Sequence, residues 1–249
     1  MQPAQPTRLQ RQFWNEWNTR TRERSLDEVS LAQANVVERW IGKVGDRRLE
    51  IIDVGCGTGW LSAQLVAHGS VTGIDLADEV IERAKQRVPS ASFIAGDFLE
   101  LDLGRACYDL VVCLEVLSHV PDQVRFIERI AQLLRPNGYL ILATQNRRVL
   151  KRNRIVAPAP GQLRRWVDQH ELVALLEPEF DVIDLISVTP RFNRGVLRII
   201  NSATLDRWVV RAHLGLLSRQ LERFEERMFL GWTLMAFCQP RSSAPRAAE

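Results

Sequence analysis

The most informative part of the sequence is the stretch Ile51-Ile52-Asp53-Val54-Gly55-Cys56-Gly57-Thr58-Gly59. Its apolar beginning has the character of a buried strand, and three glycines follow at alternate positions. Glycine carries no side chain to keep a ligand away from the backbone, and a helix after such a turn offers unpaired N–H groups at its start. The stretch therefore predicts a strand, a turn and a helix that together bind a ligand.

The spacing of the glycines distinguishes between two kinds of nucleotide site. The dinucleotide fingerprint Gly-x-Gly-x-x-Gly, counted from Gly55, needs glycine or alanine at position 60, where this chain has Trp60. An oxidoreductase that holds a pyrophosphate on this turn is therefore disfavoured.

Short apolar runs alternate with amphipathic helical segments from Leu49 onward, which is typical of a doubly wound, Rossmann-like α/β sheet. The predicted strands are 49–54, 71–74, 92–95, 110–114, 139–143, 180–188 and 231–238. Asp78 is expected to cap the helix that follows the second strand, and a further helix is predicted over 168–176.

Three further segments surround or interrupt this core domain, which we place at 49–240. Residues 1–48 are predicted to be a tail, disordered over 1–12, followed by helices, and residues 241–249 a disordered tail. The insert 191–229 has approximately helical spacing among many arginines. A helical cap packed on the domain is the first interpretation of this insert, and a substrate lid, a dimer face or a membrane-surface helix are the alternatives.

The 249 residues have a composition typical of one globular domain, and no run approaches the roughly 20 apolar residues that span a bilayer. The cysteines Cys56, Cys107, Cys113 and Cys238 form no Cys-x-x-Cys pair, so neither a disulfide scaffold nor a metal site is predicted. A soluble protein of the reducing cytoplasm is the expectation.

Positive charge is concentrated in one segment. Seven basic residues and no acidic one lie between Gln145 and Arg165, namely Arg147, Arg148, Lys151, Arg152, Arg154, Arg164 and Arg165. Because this segment follows the fifth strand, it is placed to attract an anionic acceptor or a lipid headgroup, although a merely solvated loop is the alternative. A nucleic-acid partner is disfavoured, since such proteins usually spread basic charge along a face.

Two acidic residues follow the second and third strands. Asp75 lies twenty residues after Gly55, where a carboxylate can accept both hydroxyls of a ribose. Asp97 is suited to an adenine amino group, with Phe98 beside the ring, and a turn residue is the alternative for Asp97.

These stretches resemble the cofactor-binding motifs of class I S-adenosylmethionine-dependent methyltransferases, over roughly residues 49–144. The resemblance implies that the turn from Asp53 to Gly59, including Cys56, cradles the methionine part of the cofactor. It also implies that Asp75 and its neighbour Leu76 bind the ribose, and that the sheet has seven strands with the last one antiparallel.

Residues 109–121 and 133–147 are similar to a narrower group, the ubiquinone-biosynthesis-like O-methyltransferases. The expected function is thus methyl transfer to a heteroatom, oxygen before others, of a small or lipid-like metabolite. An anionic acceptor, peripheral membrane contact and a homodimer are among the options that the sequence leaves open.

His119 follows the fourth strand, at the edge of the sheet where ligands bind, and is the candidate general base. A hydrogen-bonded structural histidine beside the cofactor is the rival interpretation. Leu114 and Glu115 are expected to line the cofactor pocket.

The sequence disfavours two other functions. A nucleic-acid methyltransferase that acts on base amino groups would be expected to carry an Asn/Asp-Pro-Pro-Tyr/Phe segment after the fourth strand, and this chain has none. A non-catalytic partner that only keeps the fold is disfavoured by the intact glycine turn and Asp75.

Overall fold

The computed structural model describes residues 7–19, 28–45, 47–151, 158–160, 162–190 and 227–241. The helices are α1 Thr7–Trp17, α2 Glu28–Ile41, α3 Ser62–Leu65, α4 Asp78–Arg87, α5 Gln123–Leu133, α6 Arg147–Leu150 and α7 Gln169–Leu176. The strands are β1 Leu49–Val54, β2 Gly69–Asp75, β3 Ser92–Ala95, β4 Tyr108–Leu114, β5 Leu134–Gln145, β6 Phe180–Pro190 and β7 Gly231–Pro240. A 3₁₀ turn covers Leu117–His119.

The strands form one seven-stranded sheet in the order β3-β2-β1-β4-β5-β7-β6. Strands β1 to β5 are parallel, and β7 runs antiparallel to both β5 and β6. The prediction of a Rossmann-like sheet whose last strand is antiparallel is confirmed. The strand order reverses between β1 and β4, and in such sheets ligands bind beyond the carboxyl ends of the strands at this switch point.

Both faces of the sheet are covered, which explains why the central strands are almost entirely apolar. Alternate residues of β1 enter different clusters: Ile52 packs on one face of the sheet and Ile51 on the other. The side chains of β4 from Leu110 to Cys113 are wholly buried. This rigid centre holds the ends of β1 and β4 side by side.

Strand β5 is five residues longer at its start than the predicted strand 139–143. Pro136 and Gly138 favour a break there, but Leu134 pairs with Tyr108 of β4 across a register shift. Pairing with a neighbouring strand therefore overrides the local sequence signal.

The N-terminal prediction is wrong in part, because α1 begins at Thr7 inside the segment 1–12 that was expected to be disordered. Helix α1 is held on the domain by Asn15, whose Nδ2 donates to Asp78 Oδ1 at 2.9 Å. Asp78 is the first residue of α4 rather than its cap, and Ala77 takes the cap position without a side-chain hydrogen bond. The tertiary contact with Asn15 thus uses the carboxylate that was expected to cap the helix.

Most of the insert 191–229 and the tail from residue 242 lie outside the described residues, so their predicted roles stay predictions. Within the described part of the chain, no helix combines the length and the apolar character needed to cross a membrane.

Candidate active site

A cavity of about 740 Å³ opens at the carboxyl ends of β1, β2 and β4, beneath helix α1. Most of the residues that the sequence singled out line this cavity: Asp53, Gly55, Cys56, Gly57, Asp75, Leu76, Asp97, Phe98, Leu114, Glu115 and His119. The fold therefore brings together side chains from four loops that are far apart along the chain.

The glycine turn comes close to other chain segments at two points. Gly55 has a φ of 75°, and a Cβ there would lie 2.1 Å from a methyl carbon of Val116. Gly57 has a φ of 53°, and a Cβ there would lie 3.3 Å from Oδ1 of Asn18. A side chain at either position would be strained and crowded, so the turn requires glycine.

Gly59, which the sequence places with the predicted cofactor residues, is absent from the described lining of the cavity. With a φ of 72°, it packs against the ring of Phe93, which a Cβ would approach to 3.1 Å. The third glycine therefore lets the turn lie against the β3 side of the domain. Helix α3, which follows the turn, has four residues.

Asp75 ties the end of β2 to the glycine turn. Its Oδ2 accepts from the backbone N–H of Gly57 and its Oδ1 from that of Ala77, both at 2.9 Å. Burial raises the pKa of this carboxyl, whereas the two backbone hydrogen bonds oppose the rise. A carboxylate in this state gains from further hydroxyl donors, which suits the predicted ribose.

Asp53 lies underneath the turn, where its side chain is buried. Its Oδ2 accepts from the hydroxyl of Ser62 at 2.6 Å. Burial, together with the nearby charge of Asp75, raises the pKa of Asp53 to about 7. Asp53 therefore braces the turn against α3 and is close to half-protonated at neutral pH.

Cys56 lines the cavity from an apolar cluster that includes Ile81, Ala84 and Phe93. Burial raises the pKa of its thiol well above the usual range. Cys56 thus contributes shape to the turn and not a nucleophile.

Asp97 and Phe98 form the wall beyond β3. Oδ1 of Asp97 accepts from the backbone N–H of Leu99 at 3.0 Å, so Asp97 is a turn residue as well as a lining residue. The ring of Phe98 packs 5.0 Å from that of Phe126, which fixes the shape of this end of the cavity.

Glu115 follows β4 with a φ of 63°, a conformation that is uncommon for a residue with a side chain. Its Oε1 accepts from Nε2 of Gln33 at 2.5 Å and from the hydroxyl of Thr233 at 2.9 Å. Gln33 belongs to α2 and Thr233 to β7, and both line the cavity. Sequence reasoning missed these two partners because they are distant along the chain and belong to no motif.

His119 is fixed by a backbone partner. Its Nδ1 lies 2.6 Å from the carbonyl oxygen of Leu163, which can only accept, so Nδ1 carries the proton. The neutral ring therefore has its free lone pair on Nε2. Burial lowers the pKa of His119 to about 4, and the indole of Trp14 packs edge-on with its centroid 4.6 Å away.

The cavity is rich in aromatic surface. Five tryptophans from different parts of the chain line it: Trp14, Trp17, Trp60, Trp166 and Trp232. Trp14 and Trp17 both line the cavity from α1. Trp60, which excluded a dinucleotide fingerprint, is itself a wall residue.

The basic segment is divided by its tertiary contacts. Arg147 pairs with Asp168 at 2.5 Å and with Glu171 at 2.6 Å, two acidic residues that lie just beyond the segment. The guanidinium of Arg165 donates to the carbonyl of Pro121. Arg164 lines the cavity with its guanidinium 5.7 Å from the ring centre of Trp166.

The lining is more acidic than basic. Among the described residues it contains six carboxylates, at positions 53, 75, 97, 100, 115 and 122, and two arginines, Arg125 and Arg164. Arg125 is itself paired with Glu100 at 3.1 Å. Such a wall favours a cation over a pyrophosphate. The described residues contain no group of three or more histidines, cysteines or carboxylates placed to hold a metal ion.

The antiparallel β7, the glycine turn after β1 and the acid that ends β2 are the features that resemble S-adenosylmethionine-dependent methyltransferases. Residues 52–142 match the family described as methyltransferase domain. The matched stretch includes Gly55, Gly57, Asp75 and Asp97, which line the cavity.

Curated relatives and a solved structure are similar to this chain. The ubiquinone biosynthesis O-methyltransferases of Leptothrix cholodnii and Nitrosomonas europaea are 31% and 34% identical over 138 residues. These alignments cover 53% of this chain, but only 58% and 57% of the relatives. The N-methyltransferase NodS of Bradyrhizobium japonicum, solved with S-adenosyl-L-homocysteine, has a TM-score of 0.60 at 17% identity, over 87% of this chain and 89% of that chain.

Proposed function

We propose that this protein transfers the methyl group of S-adenosylmethionine to a hydroxyl of a small, lipid-like or aromatic metabolite. The observation that carries the proposal is the His119–Leu163 hydrogen bond, which leaves an unprotonated imidazole nitrogen in a cavity lined by tryptophans. The names of the curated relatives, which are O-methyltransferases, support the choice of oxygen.

The residues around the glycine turn fit the cofactor. Gly55 and Gly57 line the cavity without side chains of their own, and Asp75 offers a half-buried carboxylate to ribose hydroxyls. The acidic lining suits the positive charge of a sulfonium. When bound, S-adenosylmethionine supplies an activated methyl group, so the protein mainly has to align the acceptor with it.

His119 is the proposed base for the hydroxyl proton. Its low pKa keeps the imidazole unprotonated at neutral pH, so Nε2 can accept the proton as the oxygen attacks. The hydrogen bond from Nδ1–H to the carbonyl oxygen of Leu163 keeps the ring in the tautomer that this step needs. The low pKa also makes the imidazole of His119 a weaker base, so close alignment of the substrate hydroxyl with the methyl group has to supply much of the rate acceleration.

The walls suggest the chemistry of the acceptor. Trp14, Trp166 and Trp232 offer flat apolar surface to a ring or a chain. Arg164 lines the cavity, where its guanidinium donates to the side chain of Gln162, and Arg148 and Lys151 are exposed outside it. These cations support a proposed anionic acceptor or an anionic membrane surface as partner.

The test is transfer of labelled methyl from S-adenosylmethionine to a cell extract that is then separated into lipid, small-molecule and nucleic-acid fractions. We expect label in the lipid or small-molecule fraction, and much less of it with the Asp75→Asn variant. Label confined to the nucleic-acid fraction would overturn the proposal in favour of a nucleic-acid methyltransferase.

A further inference from the structure

Gln145 is the last residue of β5 and lines the cavity. Its Oε1 accepts a hydrogen bond from the hydroxyl of Ser118, a fully buried residue that immediately precedes His119. The buried Ser118 thus holds the side-chain amide of Gln145, a residue that borders the cavity.

This contact orients the amide group. The oxygen and the nitrogen of an amide lie in one rigid plane and point in different directions from the carbonyl carbon, so fixing the oxygen at Ser118 turns the NH₂ group away from Ser118. Among the described residues, the Ser118 contact is the one hydrogen bond of the Gln145 side chain, and the amide nitrogen has no partner. An NH₂ group can only donate, so the free end of Gln145 requires an oxygen or nitrogen lone pair.

The position of Gln145 separates it from the proposed cofactor residues. It pairs in register with Thr233 of β7, and Ser118 and His119 lie in the turn after β4. The glycine turn and Asp75 follow β1 and β2, on the other side of the strand-order reversal. Gln145 therefore belongs to the half of the cavity that contains the candidate base.

We propose that Gln145, held by Ser118, binds the substrate that receives the methyl group. Its amide nitrogen donates a hydrogen bond to an oxygen of that substrate other than the one that is methylated. The inference rests on the proposed function. It selects acceptors that carry a second oxygen with a free lone pair, such as an ether or a carbonyl, near the reacting hydroxyl. A site built to donate a hydrogen bond discriminates against an analogue of the same shape that lacks the oxygen.

The test uses two probes of similar shape, 2-methoxyphenol and 2-ethylphenol, which differ by the ether oxygen. Binding is measured by tryptophan fluorescence in the presence of S-adenosyl-L-homocysteine, since tryptophans line the cavity. The wild-type protein is expected to prefer 2-methoxyphenol by about threefold to tenfold, the effect of one net hydrogen bond. Gln145→Met, which keeps the length but has no donor, is expected to remove the preference.

Two further variants separate a specific role from general damage. Gln145→Glu places an acceptor at the same position and is expected to reverse the preference. Ser118→Ala leaves the amide in place but free to rotate, so an intermediate preference is expected. In each variant the affinity for S-adenosyl-L-homocysteine should stay within about twofold of wild type, as for residues outside the cofactor half.

A wild-type protein without preference between the two phenols, or a Gln145→Met variant that keeps it, would overturn the proposal. The measurement is one of binding, so its outcome does not depend on turnover. If the preference follows Gln145 while no labelled methyl is transferred to any extract fraction, the oxygen-binding site stands and the proposed reaction fails.

Discussion

Nδ1 of His119 lies 2.6 Å from the carbonyl oxygen of Leu163, a residue 44 positions further along the chain. This hydrogen bond fixes which nitrogen of the ring carries the proton and which can act as a base. Leu163 belongs to the basic segment, so that segment supports the candidate base as well as carrying positive charge.

Replacing His119 with glutamine is expected to lower the single-turnover rate by roughly 10²–10⁴-fold, because a general base is lost. Since the pKa of His119 is about 4, the wild-type rate should be level above about pH 5 and fall below it, instead of titrating near pH 6.5. The measurement is the single-turnover rate against pH. His68→Gln, at a surface histidine paired with Glu38, is the matched control. A His119→Gln variant with wild-type turnover would return His119 to a structural role.

The Asp75→Asn substitution is expected to weaken S-adenosylmethionine binding by roughly 10–100-fold, because it removes charge-assisted acceptance of ribose hydroxyls. Because Gly57 and Ala77 donate to different oxygens of Asp75, asparagine with its one oxygen can keep only one of these two backbone contacts. Titration calorimetry measures the affinity, with Asp102→Asn in a surface loop as the control. Unchanged affinity in Asp75→Asn would remove Asp75 from the cofactor site.

Asp53 is expected to make stability depend on pH. Its pKa rises from 3.8 in the unfolded chain to about 7 in the folded one, so the folded state holds a proton that the unfolded state releases. The free energy of unfolding should therefore fall as the pH rises from about 4 to 7, and level off above that. Relative to Asp53→Asn, the wild type should lose roughly 3 kcal/mol between pH 5 and pH 8.

Urea unfolding of both proteins at the two pH values provides this measurement. The comparison with Asp53→Asn removes the contribution of other titrating groups. One of these is His119, whose lowered pKa reduces the free energy of unfolding as the pH falls from 6.5 to about 4. An equal pH dependence of wild type and variant would show that Asp53 is ionised in the folded protein.

Arg147→Ala is expected to destabilise the domain by about 1 kcal/mol, because the pair with Asp168 and Glu171 is half-buried and holds the start of α7. Asp168 is the N-cap of that helix and forms a capping box with Glu171. Thermal unfolding measures the change. Arg148→Ala, at an exposed neighbouring arginine, is the control and should leave the unfolding temperature unchanged. If both variants unfold alike, the ion pair adds no stability.

The double variant Arg148→Ala/Lys151→Ala is expected to weaken binding to vesicles that contain phosphatidylserine, while binding of S-adenosylmethionine stays unchanged. Exposed charges are screened over roughly 10 Å at 0.1 M salt, so wild-type binding should also weaken as salt is added. Vesicle sedimentation measures both effects. Binding that is insensitive to salt and to the double variant would make this segment an ordinary solvated surface.

The sequence predicted the central strands closely, and β1 and β3 have the expected bounds. Buried parallel strands produce short apolar runs that can be recognised without any knowledge of their neighbours. The start of β5 and the helical state of residues 7–12 could not be predicted in this way. Both depend on distant partners, Tyr108 for the strand and Asp78 for the helix.

The residues predicted to bind the cofactor could be grouped from the sequence, because they lie at or directly after the ends of strands of one parallel sheet. The chain order of Asp53, Gly57, Asp75 and Asp97 then implies that they meet at one edge. The sequence predicts that Gly59 belongs to the cofactor turn together with Gly55 and Gly57, and in the fold Gly59 packs against the ring of Phe93. Spacing along the chain identifies a glycine turn without showing which side each glycine faces.

The local sequence pattern therefore established the class of fold and predicted where a cofactor would bind, since strand periodicity and a glycine turn are short-range properties. The hydrogen bonds around Glu115, Ser118 and His119 depended on the packed chain. Their partners Gln33 of α2, Gln145 of β5, Thr233 of β7 and Leu163 of a loop come from separate parts of the chain, and they set a carboxylate position, an amide orientation and a tautomer. These are long-range hydrogen bonds, and they exist only once packing has brought the donor and the acceptor within about 3 Å of each other.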